Sequence, residues 1–190
     1  MKVSMLVLAS KSPRRKELLS KLGVPFFVAQ SNAKEITGNF PCDILVKENA
    51  LIKAQDILEK YPDDVILGAD TVVCINDTIL GKPKSLEDAK ATLMMLSGKE
   101  HFVYTGVAIL SKELNINYVV STKVVFKKLT PNIIDKYLEL VYVLDKAGSY
   151  AIQEYGDMII QSIDGELENV IGLPLIELKN QLKKLFPELL

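Results

Sequence analysis

One histidine, His101, and two cysteines, Cys42 and Cys74, are all that 190 residues provide of the side chains most used for nucleophilic and metal chemistry. Neither cysteine has a histidine beside it, so both read as small buried hydrophobes rather than nucleophiles, and a His-based triad is disfavoured. They stand apart without metal-ligand spacing, which points to a reducing, cytoplasmic setting. No apolar run approaches the roughly 20 residues that cross a bilayer, which excludes a membrane partner. Met1-Lys2 and the short apolar run behind it meet Lys11, Arg14, Arg15 and Lys16 with no cleavage site, so a secretory signal is rejected. A net charge of −1 gives no broad footprint for a nucleic-acid polymer, so any phosphate affinity must be local. Repeats and biased segments are absent too, and 48% hydrophobic with 25% charged residues suits one α/β domain spanning 1–190.

What is present begins with a breach of helix chemistry. Val3 to Ala9 reads as a buried strand, Ser12 as an N-cap and Pro13 as the first helical residue, giving a helix from Pro13 to about Leu22. The position where Glu or Gln would close a capping box holds Arg15, with Arg14 beside it. Two cations among unpaired helix N–H groups call for an anion, and strand, Ser-containing loop and helix start together form a phosphate-binding arrangement. A solvated basic first turn is the alternative.

Further on, Pro25 to Ala29 reads as a strand and Gln30 to Pro41 as a polar loop carrying Glu35. Asp43 is expected to cap a helix reaching about Tyr61, with Ala50, Ala54, Ile57 and Tyr61 on its buried stripe. Lys53 flanks that stripe, where a lysine ordinarily lays its stem on the core and puts its ammonium in water. Val65 to Ile75 is an apolar strand interrupted by Asp70, which must meet a cation, a metal or several donors. It is therefore a candidate base or metal ligand, or else a structural salt bridge. Asn76-Asp77 turns the chain back through Thr78–Leu80, and Gly81-Lys82-Pro83 constrains Lys82. Ser85 caps a helix to Leu96, Phe102–Leu110 and Tyr118–Phe126 pair as a hairpin, and Thr130-Pro131 starts another helix. Asp145 to Gln153 is a loop rich in small residues, in which Gln153 is placed to read a base edge. A strand over Met158–Ile163 and a last helix after Gly172-Leu173-Pro174 complete a mixed sheet flanked by helices.

Leu8-Ala9-Ser10-Lys11-Ser12-Pro13-Arg14-Arg15, Gly68-Ala69-Asp70-Thr71-Val72-Val73, Gly81-Lys82-Pro83, Tyr104-Thr105-Gly106-Val107, Asp145-Lys146-Ala147-Gly148 and Val170-Ile171-Gly172-Leu173-Pro174-Leu175 follow one another in order. In these blocks the chain resembles the Maf family of nucleoside triphosphate pyrophosphatases over nearly its whole length. The resemblance implies a mixed twisted sheet like that of the inosine triphosphate pyrophosphatases, with an active-site cleft. It also implies a cytoplasmic homodimer that uses a divalent cation, Mg2+ or Mn2+, to cleave a nucleoside triphosphate between its α- and β-phosphates. Carried over by position, Asp70 is the proton acceptor, and Ser10, Arg15, Lys53 and Lys82 face phosphate. Glu35 and Asp70 are the metal ligands, although Ser31-Asn32-Ala33-Lys34 is less acidic than is usual there. Arg14, Thr71 and Gln153 match the branch acting on dTTP and UTP, where a 7-methylguanosine branch has Trp, Gln and Glu. A neutral Gln amide offers both donor and acceptor to a pyrimidine imide. Two other readings stand beside this one: a nucleotide-binding regulator of septum formation, and a pyrophosphatase for noncanonical purine triphosphates.

Overall fold

The computed structural model describes residues 5–38 and 40–189. Met1, Lys2, and Val3 and Ser4 of the expected first strand lie outside the described residues. The elements are β1 (Leu6–Ala9), α1 (Pro13–Ser20), β2 (Phe26–Val28), α2 (Cys42–Leu58), β3 (Val65–Ile75), β4 (Thr78–Leu80), α3 (Leu86–Leu96), β5 (Glu100–Leu110), β6 (Asn115–Phe126), α4 (Pro131–Leu140), α5 (Gly156–Ile159), β7 (Ile160–Asp164), α6 (Leu167–Ile171) and α7 (Leu175–Leu185). They build one mixed sheet in the order β2-β1-β3-β5-β6-β7, with β4 paired to β3. β1 lies parallel to β2 and β3, and every pairing from β3 to β7 is antiparallel.

The two long strands β3 and β5 pass through two differently covered halves. In the first half, Leu6, Leu8, Leu67 and Ile109 face α1 and α7, while Val7, Ile66 and Ala108 face the Ala50, Ala54 and Ile57 stripe of α2. In the second half, Val73, Val103, Val124 and Phe126 pack under α3 and α4. The cleft opens where β3 crosses from one half to the other, at Asp70 and Thr71.

Two glycines fix how closely α2 lies on that crossing. A Cβ at Gly68 would sit 2.2 Å from the Ala50 carbonyl oxygen, and one at Gly106 2.2 Å from the Val46 oxygen. The helix backbone therefore rests on bare strand, which brings its side chains to β3.

Several local expectations are corrected. Asp43 does not cap α2: Pro41 takes the N-cap position without a side-chain bond, and Asp43 lies in the first turn, where its charge suits the helix dipole. The helix ends at Leu58, and Tyr61 is 36% exposed, its ring edge-on to Phe27. The strand expected over Met158–Ile163 starts later, at Ile160, because Gly156–Ile159 forms a helical turn before β7. Cys42 and Cys74 are buried as expected, yet they do not stand apart. Their sulfurs are joined in a disulfide, because α2 runs back along β3 and sets its first turn over the strand's far end. At a sequence separation of 32, spacing carries no trace of that meeting. No helix among the described residues is long and apolar enough to cross a membrane.

Candidate active site

The junction between β1 and α1 forms as its sequence demands. Ser12 caps α1, accepting the Arg15 N–H at 3.4 Å, and the Ser10 hydroxyl accepts the Ser12 N–H at 3.1 Å. Arg15 is not solvated. Its Nε donates to the Gly172 carbonyl at 2.8 Å, its Nη2 to Thr71 Oγ1 at 2.9 Å and its Nη1 to Ser10 Oγ at 3.5 Å. The guanidinium is thus held by β3 and by the end of α6 with neutral acceptors alone, and no carboxylate among the described residues pairs with it. Burial pulls its pKa below the ordinary value, against the opposing attraction of Asp70. A guanidinium so placed is a fixed positive charge at the cleft wall, without an ion-pair partner among the described residues.

Arg14 behaves differently. Its Nη1 donates to Asp145 Oδ2 at 2.8 Å, so for this cation the anion that the sequence calls for comes from the chain itself. Asp145 Oδ1 also accepts from Lys146 Nζ at 2.9 Å. Burial raises the Asp145 pKa, but the bonds from Lys146 and Arg14 outweigh it, and the carboxyl titrates below its usual range. The Arg14–Asp145 pair ties the start of α1 to the segment that leads to Gln153.

α2 supplies Lys53. Its Nζ lies 2.7 Å from Asp70 Oδ1 and 3.2 Å from Glu35 Oε2, so two carboxylates converge on one cationic position. The expectation of an ammonium turned to water is overturned, as the Lys53 side chain is only 12% exposed. Asn49, one turn earlier on the same face, is 3% exposed and donates to Asp70 Oδ2 at 3.3 Å. It also makes a two-bond pairing with the backbone of Ile36.

All of this surrounds a cavity of about 900 Å³, within the size range of ligand pockets. Ser10, Arg14, Arg15 and Thr71 line it together with Glu35, Lys53 and Asp70. Lys82 and Gln153 reach it from the loops after β4 and after α4. Gly148, with φ +71, donates its N–H to the Gly81 carbonyl at 3.2 Å and so joins those two loops. Thr71 contacts Arg15 and, at 3.0 Å, Thr105, whose hydroxyl donates to the Asn169 carbonyl. Asn49, Asp145 and Asn169 are the contributors that sequence reasoning missed, and only Asp145 had a signal, as part of a motif block.

The donor set suits a hard divalent cation. Glu35 and Asp70 present oxygen ligands around a point already occupied by a positive charge. No cluster of three or more His, Cys, Asp or Glu among the described residues could hold a metal alone. The remaining ligands would have to come from phosphate oxygens and water, as is usual for Mg2+ at triphosphate sites.

The chain is similar to known proteins over most of its length. A family model described as "Maf-like protein" matches residues 5–185. A dTTP/UTP pyrophosphatase of Akkermansia muciniphila is 47% identical over 169 residues, covering 88% of this chain and 89% of that protein. One from Bacillus cytotoxicus is 47% identical over 180 residues, covering 94% of each. Among solved structures, the Ham1 protein of Staphylococcus aureus has a TM-score of 0.58 at 11% identity, covering 95% of this chain and 99% of that one, and shares the fold.

Proposed function

This chain belongs to the Maf-like family, and on that premise we propose that it is a nucleoside triphosphate pyrophosphatase acting on dTTP and UTP, as its 47%-identical relatives are named. The observation that carries the reading is that an Arg15 guanidinium without an ion-pair partner among the described residues and the Glu35–Lys53–Asp70 cluster line one cavity. Arg15, Lys82 and Ser10 hold the triphosphate, and Lys53 screens the α-phosphate from the carboxylates. Asp70 orients a water and takes its proton. The water oxygen bonds to the α-phosphorus, the α–β bridging bond breaks, and pyrophosphate leaves with that electron pair. Asp70 and Glu35 would hold a divalent cation, which would supply charge neutralisation on the phosphates.

Pyrimidine preference is assigned to Gln153, with Arg14 and Thr71 setting the walls on either side. One domain, a homodimer and a cytoplasmic location belong to the same proposal. In that compartment thiol pools oppose the Cys42–Cys74 bridge, whose burial limits their access. The test is a panel of dTTP, UTP, ITP and 7-methyl-GTP with product analysis. We expect the monophosphate and pyrophosphate, with the pyrimidines turned over fastest. Release of orthophosphate refutes the reaction, and faster turnover of the purines refutes the role of Gln153.

A further inference from the structure

Asn49 sits on the buried face of α2, one turn before Lys53, so the two side chains project in the same direction. They divide the Asp70 carboxylate between them. Lys53 Nζ lies 2.7 Å from Oδ1, and Asn49 Nδ2 lies 3.3 Å from Oδ2. The orientation of the amide is not free. Its Oδ1 accepts the Ile36 N–H at 2.7 Å, a group that can only donate, so Nδ2 must face both the Ile36 carbonyl, at 3.1 Å, and Asp70.

One side chain therefore satisfies both backbone groups of Ile36 and one oxygen of the carboxylate. Ile36 follows Glu35, whose Oε2 lies 3.2 Å from the same Lys53 nitrogen. Glu35 is otherwise half exposed, in a segment outside any helix or strand between β2 and α2. Without Asn49, that segment loses two bonds to α2, and Asp70 keeps Lys53 alone as a polar partner among the described residues. Buried donors and acceptors left unmatched are costly, which makes the arrangement an all-or-none lock.

We propose that Asn49 is a positioning residue that locks the Glu35 segment and the Asp70 carboxylate into one unit, so that both carboxylates present together to the triphosphate. The proposal rests on the pyrophosphatase reading for its catalytic half; its structural half does not.

The test compares the intact wild-type chain with Asn49→Leu and Asn49→Asp, reading the exchange rate of the Ile36 amide proton and the kcat and KM for dTTP. In Asn49→Leu the Ile36 amide exchanges at least about tenfold faster, and kcat falls about tenfold while KM changes less than about threefold. Asn49→Asp keeps an acceptor for the Ile36 N–H, so exchange stays within about threefold of wild type. Its kcat falls as far, because an oxygen now faces Asp70 where a donor stood. A purely structural asparagine predicts the same protected amide in Asn49→Asp but a normal kcat. Wild-type kcat in both variants, or unchanged Ile36 exchange in Asn49→Leu, overturns the proposal. Should wild type release no pyrophosphate from any triphosphate, the reaction reading fails by itself. Asp70→Ala then decides the coupling: faster Ile36 exchange supports it, and unchanged exchange refutes it.

Discussion

At the level of single residues, Asp70 carries the heaviest demand, since one carboxylate accepts from Lys53 and Asn49 and lies within the electrostatic reach of Arg15. Asp70→Asn preserves shape but removes the oxygen that takes a proton. We expect kcat to fall by about 10²–10⁴, with the far-UV circular dichroism of the folded protein retained. Hydrolysis at the wild-type rate would strip Asp70 of its role as base. That Asp70 mattered was legible in the sequence, because a carboxylate inside an apolar strand needs partners. Arg15 was legible for a similar reason, as a cation where helix chemistry wants an anion. Asn49 was not. An asparagine on a helix looks like any solvated polar residue, and its two partners lie 13 and 21 positions away, where only the folded backbone brings them within reach. Helix chemistry alone could not separate the two guanidiniums, a distinction only the family resemblance supplied, because the Asp145 that claims Arg14 is 131 residues distant.

Elements set the register between those residues, and the contact of α2 with β3 is the critical one. A methyl group at Gly68 would lie 2.2 Å from the Ala50 carbonyl oxygen and 2.9 Å from the Ala54 Cβ, so Gly68→Ala must lift the helix. We expect a loss of about 1–3 kcal/mol in urea unfolding, together with a larger loss of activity than the unfolded fraction explains, because Asn49 and Lys53 ride on the displaced face. Gly81→Ala, with nothing within 4 Å of the added methyl, should leave stability nearly unchanged. Equal stability of the two variants would mean that α2 is not seated as described. Elements of strong local character were readable in advance: β3 runs Val65–Ile75, and Ser85 caps α3 by accepting the Asp88 N–H. The misreadings fall where tertiary contacts decide. Met158 and Ile159 of the turn run on into the apolar start of β7 and suit a strand equally well, and the five residues of α6 are too few to show a period. α6 nonetheless carries the buried Asn169, whose Nδ2 bonds the Val103 carbonyl and Thr122.

Across the whole molecule, the second half of the sheet and the cleft loop share a core, and the protonation of one ring reports on their union. His101 on β5 is 1% exposed, packed edge-on against Phe126 of β6 and Tyr150 of the loop before Gln153. Its Nε2 shares a 2.9 Å hydrogen bond with the Tyr150 hydroxyl, whose own pKa burial drives upward, so Tyr150 stays a neutral partner. The other ring nitrogen, Nδ1, has no partner among the described residues. Burial accordingly depresses the imidazole from its ordinary 6.5 to about 4. The native chain then holds His101 neutral where the unfolded chain would protonate it. Stability is full above pH 6.5, declines as pH falls toward 4, and changes no further from this group below that. Between pH 6.5 and 5 the loss should be about 2 kcal/mol, at 1.36 kcal/mol per unit. Carboxylates contribute their own slope, so the measurement is a difference: urea unfolding of wild type and His101→Gln at pH 7.5 and 5.0. The substitution shifts both curves alike, and only the titration is removed, so the pH-dependent loss should shrink by about 2 kcal/mol in the variant. Identical losses in the two proteins would show that the ring meets water in the native state. The loop carrying Tyr150 and Gln153 would then not be seated on the sheet, and the wall assigned to base recognition would have no fixed position relative to Asp70.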